Sequence, residues 1–114
     1  MGTDGQDGNF EAQLAALCAA FEARLDDRLT ELEDARADLA AADGAEGRGR
    51  AVEQVGRLAH GISGSAATFG YPELSKLAER LEAACSVDAG VEERLDRLIE
   101  AVRESRPAGA AGSA

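Results

Sequence analysis

His60 is the single histidine among 114 residues, and its surroundings are unusual for a helix. Gly56, Gly61 and Gly64 lie within one turn or so of it, together with Ser63, and Ala67 is one further turn on. Glycine inside a helix costs roughly 1 kcal/mol relative to alanine, so a helix with only a structural task has little reason to hold three. Removing Cβ atoms clears the space above an imidazole. Gly64, one turn C-terminal, is the clearest case; Gly56 could act similarly on the other side, and Gly61 is assigned no role. Imidazole is nucleophilic and largely uncharged at neutral pH. A ring displayed among residues with almost no side chain suits a task that needs an accessible nitrogen and little else. Accepting and passing on a phosphoryl group is such a task, because that transfer depends mainly on alignment and charge neutralisation.

The elements that must position this ring follow from periodicity. Over 51–69, Val52, Val55, Leu58, Ala59, Ile62, Ala66 and Phe69 share one helical face, and His60 falls roughly 140° from its centre. The ring is therefore expected to face outward or to sit at the edge of a bundle. Upstream, Phe10, Leu14, Leu17, Cys18, Phe21, Leu25, Leu29, Leu32 and Leu39 recur at three- and four-residue steps up to about Ala42. That length suggests a bend or short break near Arg24–Asp27. The glycine-rich stretch 43–50 reads as a loop. Gly70-Tyr71-Pro72 reads as a tight turn with Pro72 opening the next helix, about 72–86. A linker, Val87–Gly90, leads to a last helix over about 91–105.

The expected fold is all-α: an antiparallel four-helix bundle over 10–106, with a short additional N-terminal helix or helix extension. Residues 1–9 are expected to be a disordered leader and 107–114 a disordered tail. Aromatic residues make up 4% of the chain, and no segment alternates with the period of a strand.

Composition excludes several functions. A formal net charge of −10 argues against nucleic acid, which needs a basic face, and against anionic membrane surfaces. No segment approaches the ~18 apolar residues of a membrane span. The polar, acidic start is unlike a secretory signal, and the residues after Gly2 lack the myristoylation pattern. A cytoplasmic location is the default. Cys18 and Cys85 lie on apolar stripes and read as ordinary thiols. One histidine and two distant cysteines offer no metal site. There is no phosphate-binding glycine loop, so no nucleotide site is expected.

Residues 58–74 (LAHGISGSAATFGYPEL), followed by Leu81 and Glu82, resemble the histidine-containing phosphotransfer (HPt) domain of bacterial phosphorelays. That pattern runs roughly A-H-x-L-K-G-S-A-x-x-x-G and then a leucine-rich helix ending in L-E. The resemblance extends from about Phe21 to Arg103. It implies that His60 is the phosphoacceptor, at the nitrogen remote from the backbone, and that Gly64 is the small residue giving access. It implies that Ser65, Ala66 and Gly70 fill packing and turn positions, while Phe69, Tyr71 and Leu74 pack the corner between two helices. Implied partners are response-regulator receiver domains and a histidine kinase, hybrid kinases included. No bound cofactor, no enzyme activity of its own and a monomeric state are expected.

One position departs from the pattern. The family often has Lys three residues after the histidine, where this chain has Ser63. Arg57, Lys76 or Arg80 could supply the missing cation, or Ser63 could hydrogen-bond the phosphoryl group. A changed phosphohistidine lifetime is expected rather than loss of function. Arg48, Arg50, Arg57, Lys76 and Arg80 could form a basic rim for a receiver domain, with Lys76 and Arg80 as docking residues; ordinary surface ion pairing is the other reading. Two further functional readings stay open: a helical adaptor that binds a receiver or kinase without being phosphorylated, and the phosphoacceptor domain of a chemotaxis-type kinase. The methionine start favours a free-standing small protein.

Overall fold

The computed structural model describes the backbone of residues 2–105 and side chains from Asn9 onward. Four helices account for it: α1 Gly2–Ala41, α2 Gly44–Thr68, α3 Pro72–Val87 and α4 Val91–Ser105. Each packs against two neighbours, in the cycle α1–α2–α3–α4–α1, as short links between antiparallel helices require. The core follows the sequence stripes. Phe21, Leu25, Leu29, Leu32, Ala35 and Leu39 come from α1. They meet Val52, Val55, Ala59, Ile62 and Ala66 from α2, Leu74, Ala78, Leu81 and Ala84 from α3, and Val91, Leu95, Leu98, Ile99 and Val102 from α4.

The structure corrects two expected boundaries. No break interrupts α1 at Arg24–Asp27, so the extra N-terminal element is an extension of the first helix and not a separate one. Leu25 and Leu29 carry the buried stripe straight through that segment, and Arg24 and Asp27 are on its exposed side. Residues 10–41 contain neither glycine nor proline, the residues that would interrupt a helix there. The stretch 43–50 is not a loop either: α2 begins at Gly44, leaving Ala42 and Asp43 as the whole connection. The glycines at 44, 47 and 49 lower helix propensity, but Arg48 anchors this turn. Its guanidinium donates to Asp88 and Glu92, each at 2.8 Å, tying the start of α2 to the α3–α4 junction. Helix α1 also takes in residues 2–9 of the segment expected to be a leader, while Met1 and the expected tail 107–114 lie outside the described residues.

The other two connections use left-handed residues to stop a helix. Gly70 adopts φ 84° after α2, and the Tyr71 N–H donates back to the Ala66 carbonyl at 2.8 Å. After α3 the same closure is made by Asp88, at φ 47°, with Ala89 N–H donating to the Ala84 carbonyl at 3.1 Å. Aspartate tolerates this conformation better than most residues, and Arg48 holds its carboxylate in place. At the α2–α3 corner, Phe21 stacks on Phe69 with ring centroids 5.2 Å apart and lies against Tyr71 at 5.0 Å. The Tyr71 hydroxyl donates to Glu22 at 3.3 Å, which fastens the corner to α1. No helix among the described residues is long and apolar enough to cross a membrane.

Candidate functional site

The face of α2 opposite its buried stripe is open to solvent, and His60 stands near its middle with its side chain 78% exposed. Ala59 and Ile62 on either side of it in sequence are buried, so the core fixes the rotation of α2 and thereby the direction of the ring. Across the groove, Glu82 of α3 approaches: His60 Nδ1 and Glu82 Oε2 are 2.9 Å apart. An ionised carboxylate can only accept, so the nitrogen facing it carries the hydrogen. Nδ1–H then donates to Glu82, which leaves the Nε2 lone pair free and directed away from that partner. One hydrogen bond thus selects both the tautomer and the orientation of the ring.

The groove between α2 and α3 has His60 and Glu82 on its margin, with Val52, Gly56, Cys85 and Asp88 also lining it. Close approach of the two helices accounts for Gly56. A Cβ there would meet the Cys85 Cβ at 3.4 Å, so Gly56 forms part of the groove wall against α3 and does not clear space over the ring. Gly64 differs: a Cβ at that position would meet nothing within 4 Å, and Ala67, one turn further, is exposed. Together they leave a low, open surface beside the imidazole. Gly61 also borders open space. Burial pushes the Cys85 thiol up to about 11, with Asp88 and Glu82 adding to the effect, so this sulfur stays protonated and is a poor nucleophile at neutral pH.

The candidate cations separate. Arg57, one turn before His60, lines the same groove and forms an ion pair with Glu53. Arg80 does not join it: it lines a different groove, between α3 and α4, with Arg94. Helical spacing puts Arg80 about 160° around α3 from Glu82, and Lys76 about 120°. Arg48 belongs to the structural link with Asp88 and Glu92, and Arg50 pairs with Glu46. Ser63 is half-buried, and its carbonyl accepts a hydrogen bond from Ser75 Oγ at 3.1 Å. Of the basic residues expected to form a rim, Arg57 lines the groove of His60, and Arg80 lines another. Conversely, Glu82 had no assigned role in the sequence reading, although it closes the L-E pair of the family pattern.

A family model, the Hpt domain, matches residues 16–106. The chain belongs to the Hpt family. That family serves phosphotransfer in phosphorelays, and its all-α four-helix plan is the one seen here. The Hpt match spans all of α2, α3 and α4 and the part of α1 that enters the core. No curated protein and no solved structure matches the chain.

Proposed function

We propose that this Hpt protein is a phosphoryl carrier and that His60 Nε2 is the atom that carries the group. The observation that supports this most directly is the exposed ring whose Nδ1–H is held by Glu82 at 2.9 Å. The donor is an aspartyl phosphate on a receiver domain, or a histidine kinase. From the aspartyl phosphate, the Nε2 lone pair attacks phosphorus, the bond from phosphorus to the donor oxygen breaks, and the aspartate carboxylate leaves as an anion; from a phosphohistidine of the kinase, the P–N bond breaks and the kinase imidazole leaves. Positive charge that develops on the ring is balanced by Glu82 across the Nδ1–H bond. Transfer to a second receiver is the reverse process.

Charge neutralisation at phosphorus comes mostly from the partner, because Arg57 is the one cation that lines the groove of His60 among the described residues. Arg57 can supply part of it by turning from Glu53, since a solvent-exposed ion pair of this kind is worth only ~0–1 kcal/mol. Gly64 and Ala67 leave room for the receiver surface to reach Nε2. Arg80 lines another groove and takes no part in the transfer step; with exposed Lys76 it is a candidate for docking the receiver.

The test is transfer from a panel of phosphorylated receiver domains to the wild type and to His60→Gln. An acid-labile, base-stable label on the wild type alone is the expected result. A folded wild type that takes no label would refute the carrier reading and leave the adaptor, and a His60→Gln variant labelled equally would refute His60 as the carrying residue.

A further inference from the structure

Arg80 and Arg94 have no partner in their own chain. Arg36, Arg48, Arg57, Arg97 and Arg103 all hold carboxylates, whereas these two make no ion pair or side-chain hydrogen bond among the described residues. In a chain with a formal net charge of −10, two such guanidiniums are open to carboxylates from elsewhere. Both line one groove between α3 and α4, of about 290 Å³, whose other walls are Ala83, Ala84, Val87 and Ala89. No acidic residue lines it among the described residues, and Val87 is 73% exposed. We infer that this groove is a second docking contact for the receiver domain, and that it takes an acidic segment of the receiver lying outside its phosphorylation pocket. The carrier reading enters this inference only by naming the receiver as the partner.

Charge complementarity selects that occupant. The groove of His60 carries Glu53, Glu82 and Asp88 against Arg57, so it has little attraction for a surface that brings an aspartyl phosphate. Arg80 and Arg94 supply the attraction from the next groove. A guanidinium suits the task, because its fork can give a carboxylate two hydrogen bonds at once. The alanine walls let a chain segment lie close, and Val87 offers it an apolar contact.

The two grooves flank α3. Helical spacing puts Ser86, Glu79 and Ala83 about 40°, 60° and 100° around α3 from Glu82, and Val87 and Arg80 at about 140° and 160°. Ser86, Glu79 and Ala83 are exposed and form the ridge between the grooves. Ser86 and Ala83 flank the level of Glu82 and are small, so a partner can cross α3 there without meeting a long side chain; Glu79 stands a turn earlier. A helix is about 10–12 Å wide with its side chains, and a domain of about 100 residues is roughly 30 Å across. A receiver seated over His60 therefore overhangs α3, and a segment at its rim can reach Arg80, Val87 and Arg94. Exposed Lys76, one turn before Arg80, extends the contact.

Transfer kinetics and calorimetric binding with the receiver panel test the contact. Arg80→Glu and Arg94→Glu, made singly, are expected to raise the KM for the cognate phosphorylated receiver about fivefold or more and to leave the saturating transfer rate unchanged, as for charges that act on association. Arg24→Glu makes the same charge change on α1, whose packing partners are α2 and α4, and should keep the wild-type KM. Higher salt should weaken receiver binding to the wild type more than to either groove variant. In nitrogen-15 spectra, the receiver should shift the amides of Ala83, Val87 and Ala89 as well as those around His60. Equal KM values in Arg80→Glu, Arg94→Glu and Arg24→Glu, or amide shifts confined to the α2–α3 groove, overturn this inference and leave the carrier reading standing. Groove variants that lose binding to the kinase, or lose self-association, while keeping the receiver also overturn it and give the groove to that other partner. A receiver that binds the wild type without labelling it, and binds the groove variants more weakly, overturns the carrier reading and leaves this contact standing. A wild type that binds no receiver overturns both.

Discussion

At the residue scale, the function proposed for His60 rests on which of its nitrogens is engaged. The Glu82 carboxylate occupies Nδ1, and an exposed ring without that partner would be free to rotate and to exchange tautomers. Glu82→Ala is therefore expected to slow phosphoryl uptake by a few-fold to about tenfold, the range of one lost hydrogen bond. Nitrogen-15 NMR of the ring should show the Nδ1–H tautomer losing population in the same variant. Unchanged kinetics and an unchanged tautomer ratio would remove Glu82 from the mechanism. The same assay addresses Ser63. Ser63→Lys should alter the phosphohistidine lifetime by adding a cation beside the group, and an identical lifetime would show that Arg57 or the partner already provides it.

At the scale of the element, α2 meets two demands. Its buried face is set by Val52, Val55, Ala59, Ile62 and Ala66, while its open face tolerates glycines that weaken the helix. Both Gly61 and Gly64 border empty space, so alanine at either is sterically free and should stabilise the helix by up to about 1 kcal/mol. The functional outcomes should differ. Gly64→Ala raises the melting temperature but slows transfer, because a methyl group then stands on the surface by which the proposed carrier meets a receiver. Gly61→Ala raises it with transfer unaffected. Equal transfer rates in the two variants, measured beside their thermal melts, would show that access does not explain Gly64. Gly56 is a different case, since α3 lies against it.

At the scale of the whole molecule, Arg48 links three helices, and that link titrates. The Arg48 hydrogen bonds hold Glu92 down to about 2 from its ordinary 4.5, and hold Asp88 below its ordinary 3.8. Carboxylates depressed in this way stabilise the fold above their unfolded values and lose that contribution as pH falls through the folded ones. Arg48→Gln should therefore melt a few degrees below the wild type at neutral pH. The gap should narrow below about pH 4.5 and close near pH 2. The pairs are partly exposed, so high salt should also reduce it. A gap that persists unchanged at pH 2 would mean that Arg48 acts through packing and not through its charge.

Periodicity alone determined the four helices, their core faces and the outward direction of His60, because burial forces one stripe per helix and the histidine lies far from it. The run from Leu58 to Leu74 was enough to suggest the family. The packing of α2 against α3 decided the rest. It brought Glu82 to Nδ1 from 22 positions away, put Cys85 against Gly56, and turned Arg80 to another groove. Proximity in sequence grouped Arg80 with Arg57; the rotation of α3 about its axis set Arg80 on another groove. The glycine-rich start of α2 likewise looked like a loop until Arg48 met Asp88 and Glu92, partners 40 and 44 residues away. Local propensity carries no information about a side chain that distant. Such contacts exist only once the helices have packed, which is why the partner of His60 had to come from the tertiary structure.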